Sequence, residues 1–305
     1  MTSKRAFVLV DVFADRPLAG NPLAVFPEAE GLSPETMQAL AREMDHAATA
    51  FLLPSKKPGA AFRLRIFSRD RAIPFAGHPS LGAHFVHATQ TRLALEEPVT
   101  RLAHEGDDGL VHVEMRVQSG RIGMLRLRQQ APVYGERLGP EEISRAAAGL
   151  SLQEEAVLAT NQPVQEVSTG LPTLIVPVAT LSDLQNARPR YDLLRGVLEG
   201  REASLIYAFT KETIAASSAA HARAFDTGGS VEIPGAGAAA GALAAYLVSN
   251  AAVTVTPVTS LVIEQGHCLN RPSTLYAEVR VKGANVSDVV VGGRVIRVGE
   301  GALEV

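Results

Sequence analysis

The chain has 305 residues, 46% of them hydrophobic and 20% charged, with 26 glycines, 18 prolines, no tryptophan and a formal net charge of −3 at pH 7. That length suffices for one large or two medium domains, and the near-neutral charge gives no electrostatic basis for binding nucleic acid or an anionic membrane. A single cysteine, Cys268, excludes an internal disulfide and fits a reducing cytoplasm.

The N-terminal run MTSKRAFVLVDVFADRP alternates like a strand over 5–13. It lacks a small-residue cleavage site and meets Asp11 too early for a signal peptide. No apolar run reaches the ~18 residues that suggest a membrane span, so a soluble, cytoplasmic protein is expected. Ser33-Pro34 reads as a helix N-cap with proline at the first position, and Met37, Leu40, Ala41 and Met44 supply the apolar stripe. In 61–67, Phe62, Leu64 and Ile66 share one strand face, with Arg63 and Arg65 on the other. A helix is predicted over about 79–92, small and apolar apart from His84 and His87. The next strand, 110–117, puts Val111, Val113, Met115 and Val117 on one face; VQSGRIG (117–123) reads as a linker or tight turn before a strand at 122–128. Gly139-Pro140-Glu141-Glu142 opens a surface helix with carboxylates at its positive end. Strand runs follow at 173–178 and 204–210. The helix predicted over 236–249, AGAAAGALAAYLVS, has almost no polar face and is therefore a buried one. Further strands are predicted at 274–281 and 289–298.

Each half thus offers strands and one buried helix. That predicts an α+β fold of two similar lobes, 1–120 and 125–280, with the lobe of the C-terminal strands (281–305) unassigned; a single mixed α+β domain is the plainer alternative. Glycine and alanine on a helix let strands approach it closely. Both buried helices also start with the same grammar, Gly77-His78-Pro79 and Pro234-Gly235-Ala236-Gly237. A helix start exposes N–H groups without intrahelical partners, and these attract anions. Two such starts facing across a cleft would hold a small carboxylate or enolate, through the amides at Gly77–His78 and Gly237–Ala238. His78 at such an end tends to stay neutral, able to donate to an oxygen or relay a proton. On spacing alone a second reading stands beside this one: Pro-Gly is a turn, and His78 merely caps a helix.

The segments VDVFADRPLAGNPLAVF (10–26), FRLRIF…IPFAGHPSLGA (62–83), VSTGLPTLIVPV (167–178), EIPGAGAAAGALAAYL (232–247) and EQGHCLNRPSTLYAEV (264–279) occur in this order. Together they resemble the PhzF family, the phenazine-biosynthesis-like isomerases related in fold to diaminopimelate epimerase. The resemblance implies two pseudo-symmetric lobes, each a mostly antiparallel, barrel-like sheet around a central helix. It also implies an active site in the cleft between them, no cofactor and no metal, a homodimer, and proton relocation on a small unsaturated acid of secondary metabolism.

At the catalytic positions the chain departs from the family pattern. Where the family has N-x-S-E-T-x-F, with the glutamate moving the proton, this chain reads Asp45-His46-Ala47-Ala48-Thr49-Ala50-Phe51, so Ala48 stands at the glutamate. The family's E-D-P-A-T-G-S-A is here Glu232-Ile233-Pro234-Gly235-Ala236-Gly237-Ala238-Ala239, and E-L-P-F is Ala72-Ile73-Pro74-Phe75. Alanine has no proton to give, which leaves three readings. His46, with Asp45 and His78, replaces the lost glutamate; or the site steers an isomerisation or ring closure by shape and backbone dipoles; or the chain is an inactive, metabolite-binding member. Against the first stands the simpler assignment of Asp45 to a helix end and His46 to a half-exposed position. Asn21 and Arg271 are either structural or carboxylate-binding. Cys268 is expected in the core or a site wall, His84 and His87 as core histidines before metal ligands, and Asp226 in a turn. PGAGAAAG lacks the lysine of a nucleotide loop.

Overall fold

The computed structural model describes residues 4–73, 77–107, 109–283 and 285–305. The chain divides into two compact units, unit 1 comprising 1–128 with 292–305 and unit 2 comprising 129–291. Unit 1 begins with β1 (Lys4–Val12), β2 (Asn21–Phe26), α1 (Pro34–Met44), β3 (Thr49–Leu53), β4 (Phe62–Phe67), α2 (His78–Gln90), β5 (Val99–Gly106), β6 (Gly109–Gln118) and β7 (Arg121–Arg128). Unit 2 carries β8 (Val133–Arg137), α3 (Pro140–Gly149), α4 (Glu155–Leu158), β9 (Gln165–Ser168), β10 (Thr173–Pro177), α5 (Leu181–Asn186) and α6 (Tyr191–Leu198). It continues with β11 (Leu205–Thr210), β12 (Ala220–Asp226), β13 (Val231–Ile233), α7 (Gly237–Ser249), β14 (Val258–Gln265) and β15 (Ser273–Lys282). β16 (Asn285–Gly293) leads out of unit 2, and β17 (Val295–Glu304) returns to unit 1.

The division falls at Arg128/Gln129, later than the sequence suggested, because 117–123 is a hairpin inside unit 1. Val117 pairs with Ile122 and Gln118 with Arg121. Ser119 and Gly120 both have positive φ, 52° and 68°, the backbone that a two-residue hairpin turn requires. The single strand expected at 289–298 is two strands with Arg294 between them, and β17 pairs antiparallel with β1 along its whole length.

Both units repeat one strand programme. In unit 1, β1–β2 is antiparallel, β2–β3 parallel across α1, β3–β4 antiparallel, β4–β5 parallel across α2, and β5–β6 antiparallel. In unit 2, β9–β10 is antiparallel, β10–β11 parallel across α5 and α6, β11–β12 antiparallel, β12–β14 parallel across α7, and β14–β15 antiparallel. A parallel pair needs a crossover, and both units place a buried helix at the second one. The starts of α2 and α7 are therefore topologically equivalent positions.

Side-chain size explains how these helices fit. α2 packs against β1, β2, β3, β4, β6, β7 and β17. A β-carbon at Gly82 would overlap Leu23 Cδ2 and stand 3.2 Å from Val10 Cγ2, so glycine is what lets α2 lie on β1 and β2. α7 packs against β9, β10, β11, β14 and β15, and its residues Gly237 to Val248 are all buried. Burying Leu243, Leu247 and Tyr246 gives about 1.5–3 kcal/mol each, which exceeds the roughly 1 kcal/mol that each of Gly237 and Gly241 costs the helix. The opposite sheet faces carry separate cores. In unit 1, α1 presents Met37, Leu40 and Ala41 to the stack of Phe26 on Phe51, 4.9 Å between ring centres. In unit 2, β11 sends Ile206 and Ala208 to the core under α3, α5 and α6, while Phe209 meets Tyr246 of α7. Both of its faces are buried, which is why this strand lacks polar alternation.

Candidate active site

In unit 1 the site is built at the start of α2. Gly77 is its N-cap, without a side-chain capping bond, and Pro79 follows His78. Pro74 and Phe75, from the segment before it, lie outside the described residues. His78 is half-buried; desolvation pushes its pKa down to about 4, so the ring is neutral near neutral pH. Its Nε2 is buried and has no hydrogen-bond partner. Asn21 is fully buried, with Nδ2 3.5 Å from His78 Nδ1. It sits at the first residue of β2, opposite Val12, preceded by Gly20 at φ 65°. A β-carbon at Gly20 would overlap the Val12 carbonyl oxygen and stand 2.8 Å from Ala14 Cβ. The loop before it is tied by Leu18 N–H donating to Asp11 Oδ2 at 2.7 Å.

The residues around the expected glutamate position separate. Ala48 is buried, 1% exposed, immediately before β3, and Thr49 next to it keeps a buried hydroxyl with no partner. Thr49 matches the threonine of the N-x-S-E-T-x-F pattern, but the sequence assigned it no role. Asp45 is exposed; it closes α1 in the left-handed conformation (φ 50°) and pairs with Arg69 at 3.3 Å on the surface. His46 is half-exposed. The helix histidines are packing groups. His84 and His87 lie 4.9 and 5.1 Å from the Phe62 ring, and His104 stacks on it at 5.8 Å. His84 Nδ1 donates to the Ser80 carbonyl at 2.8 Å. Among the described residues no group of three or more His, Cys, Asp or Glu is placed to hold a metal ion.

In unit 2 the equivalent helix start is enclosed. Gly235, Ala236, Gly237 and Ala238 are buried, and α7 has no side-chain cap. A buried, uncapped start leaves N–H groups for a ligand. Ile233 before it is half-buried. The loop is shaped by the EQG…RPS segment. Gln265 Oε1 accepts from Ala236 N–H (3.2 Å) and from the Tyr207 hydroxyl (2.8 Å), and Gln265 Nε2 donates to the Ile233 carbonyl (2.5 Å). Ser273 donates to the Pro234 carbonyl at 2.7 Å. Gly266, at φ 79°, leaves no room for a β-carbon, which would overlap the Arg271 carbonyl oxygen and stand 2.6 Å from that of Pro234. On the first turn itself, Gln129 Nε2 donates to the Gly237 carbonyl at 3.0 Å, and Thr169 donates to Gln129 Oε1. The sequence flagged the EQG…RPS segment and the VSTG segment that holds Thr169, but assigned Thr169 no role and gave no signal for Gln129.

Glu264 and Glu232 serve elsewhere. Burial alone would raise the Glu264 pKa, but donors at Ile214 N–H (2.5 Å), His221 Nδ1 (2.9 Å) and Ala215 N–H (3.1 Å) hold it below its ordinary value. Glu232 makes a two-pronged pair with Arg223, 2.9 and 2.8 Å. Asp226 closes a turn by accepting from Gly228 N–H at 2.9 Å. Cys268, expected in the core or a site wall, is exposed, because it lies in the short 3-10 turn His267–Leu269 that follows Gly266.

Chemically, unit 1 offers a neutral imidazole with an unpartnered nitrogen at an uncapped helix start, and unit 2 offers a rigid cradle of amides. The comparisons with known proteins agree with this fold and these motifs. The family model for phenazine biosynthesis-like proteins, PhzC-PhzF, matches residues 10–301. An uncharacterized isomerase of Mesorhizobium japonicum is 33% identical, with 98% of each chain covered. The trans-2,3-dihydro-3-hydroxyanthranilate isomerase of Pseudomonas aeruginosa is 30% identical, covering 97% of this chain and 98% of its own. The crystal structure of a Bacillus anthracis phenazine biosynthesis protein of the PhzF family superposes with a TM-score of 0.88 over 99% of both chains, at 24% identity. This chain belongs to the PhzC-PhzF family of phenazine biosynthesis-like proteins.

Proposed function

We propose that the protein is a cofactor-independent enzyme of isomerase type, acting on a small unsaturated or carbonyl-bearing carboxylic acid by proton relocation or ring closure. The carrying observation is His78: a neutral, half-buried imidazole whose Nε2 has no partner, at the uncapped start of α2. In the proposal it donates to a substrate oxygen on which negative charge develops. The amides at Gly77–His78 serve that substrate, as do Asn21 and the Ala48 wall; the amides at Gly237–Ala238 form an anion cradle in unit 2. The isomerase name of the relative from P. aeruginosa supports the substrate class. Ala48 stands at the family's glutamate, so the proton is moved by another group, with His46 and Asp45 as candidates, or within the substrate itself. A homodimer in the cytoplasm, working in secondary metabolism, completes the proposal; no helix of the described residues is long and apolar enough to cross a membrane.

A second reading, an inactive member that binds a metabolite, is favoured by one observation: the buried alanine at position 48 carries no proton donor or acceptor. One experiment separates the two. The protein is incubated with trans-2,3-dihydro-3-hydroxyanthranilate in heavy water and the acid is followed by NMR. Isomerisation or deuterium incorporation that is lost in His78→Gln supports the enzyme. Binding without either change supports the second reading.

A further inference from the structure

His78 and Asn21 present two nitrogens to each other, Nδ1 of the ring and Nδ2 of the amide, 3.5 Å apart. An amide nitrogen carries two hydrogens and accepts nothing, so any hydrogen between the pair comes from Asn21. A hydrogen on His78 Nδ1 would point at those of the amide. That repulsion disfavours imidazolium, and it disfavours one of the two neutral tautomers. The form left has its lone pair at Nδ1 and its hydrogen at Nε2, the atom that is buried and without a partner. The pair is held from both sides. Asn21 is fully buried, in register opposite Val12, between Gly20 in its left-handed conformation and Pro22. His78 is the first residue of a helix packed on β2. Desolvation acts in the same direction, against the charged ring.

We propose that Asn21 is a positioning residue that fixes the His78 imidazole in its Nε2–H tautomer, so that the site offers substrate a neutral hydrogen-bond donor and not a base. The inference rests on the functional reading above and narrows it. The substrate atom facing His78 is an oxygen with lone pairs, a carboxylate, carbonyl or enolate oxygen. The group that removes a proton is then not His78.

The test is spectroscopic and uses the full chain with ¹⁵N-labelled histidine rings. Signals of His78 are assigned by their absence in His78→Gln. In the wild type, Nε2 is expected protonated and Nδ1 lone-pair-bearing across neutral pH. In Asn21→Asp the carboxylate can only accept, so the tautomer is expected to reverse to Nδ1–H and the His78 pKa to rise. Should that variant fail to fold, Asn21→Ala serves: release of the ring is expected to introduce a measurable share of the Nδ1–H form. A wild-type ring protonated at Nδ1, or an unchanged tautomer in the folded variant, overturns the inference. Titration with 3-hydroxyanthranilate keeps the two claims apart. If its binding is insensitive to His78→Gln, the functional reading fails whatever the tautomer. If binding depends on His78 while the ring carries its hydrogen at Nδ1, only the role of Asn21 fails.

Discussion

Gln265 Oε1 accepts the N–H of Ala236 at 3.2 Å, and through this bond the end of β14 fixes the entry to α7. The same side chain satisfies Tyr207 and the Ile233 carbonyl. Gln265→Ala would leave three buried groups without that partner. Buried unpaired groups cost about 1–3 kcal/mol each, partly relieved by water, so a loss of about 2 kcal/mol in urea denaturation is expected.

Gly82 tests the close approach of α2. Gly82→Ala would place a methyl group on Leu23 and beside Val10 and Val12. Overpacking of this kind destabilises by about 1–3 kcal/mol, whereas alanine in an unconstrained helix would stabilise by about 1 kcal/mol. A fall in thermal midpoint is the expected result; a rise would show that the contact yields. Gly241→Ala is expected to destabilise too, because the crowded atom, Gln129 Oε1, is held by Thr169 and cannot swing away.

Stability is expected to fall in acid through the buried histidines. Burial, then the neighbouring imidazole of His104, pushes the His84 pKa down to about 3; burial, then His112, pushes that of His104 to about 4. In the unfolded chain both return to 6.5. The folded state therefore binds fewer protons between these values. Its stability is fully present above pH 6.5 and is lost as pH falls towards 4, at about 1.4 kcal/mol per pH unit for each histidine. His84→Asn is expected to remove one proton from that slope between pH 4 and 6, measured by denaturation at each pH.

Much of this architecture was legible in the chain. α1 begins at Ser33, whose hydroxyl accepts from Thr36 N–H, and β6 buries Val113, Met115 and Val117, as the period-2 pattern indicated. α7 is buried from Gly237 to Val248, as its lack of a polar face required. What the sequence hid has physical causes. Alternation runs on through Arg294, so periodicity could not see one strand end and another begin. α4 and α5 are four and six residues long, too short to develop a helical stripe. In the site, the Gly-Asn-Pro and Gly-His-Pro motifs pointed to Asn21 and His78, but their contact spans 57 positions and only the fold makes it. Gln129 reaches the first turn of α7 through one side-chain bond to the Gly237 carbonyl, which no local pattern announces, and Thr169 holds it from a strand end 40 positions away.

The alanine at position 48 invites restoration. Ala48→Glu with Ile233→Asp is expected to gain isomerisation of trans-2,3-dihydro-3-hydroxyanthranilate if only side chains were lost from the family site. Because position 48 is buried, the new carboxyl is expected to have a raised pKa and to lower stability by about 1–3 kcal/mol. A folded double variant without turnover would mean that the surroundings of these positions have been reshaped as well.

The central claim is that the start of α2, with His78, binds a small carboxylate. The direct measurement is an amide ¹H–¹⁵N titration of the wild-type chain with 3-hydroxyanthranilate. The amides of Gly77 and His78 are expected to shift together along one saturable binding curve. No shift at the start of α2, or a curve unchanged in His78→Gln, would contradict it.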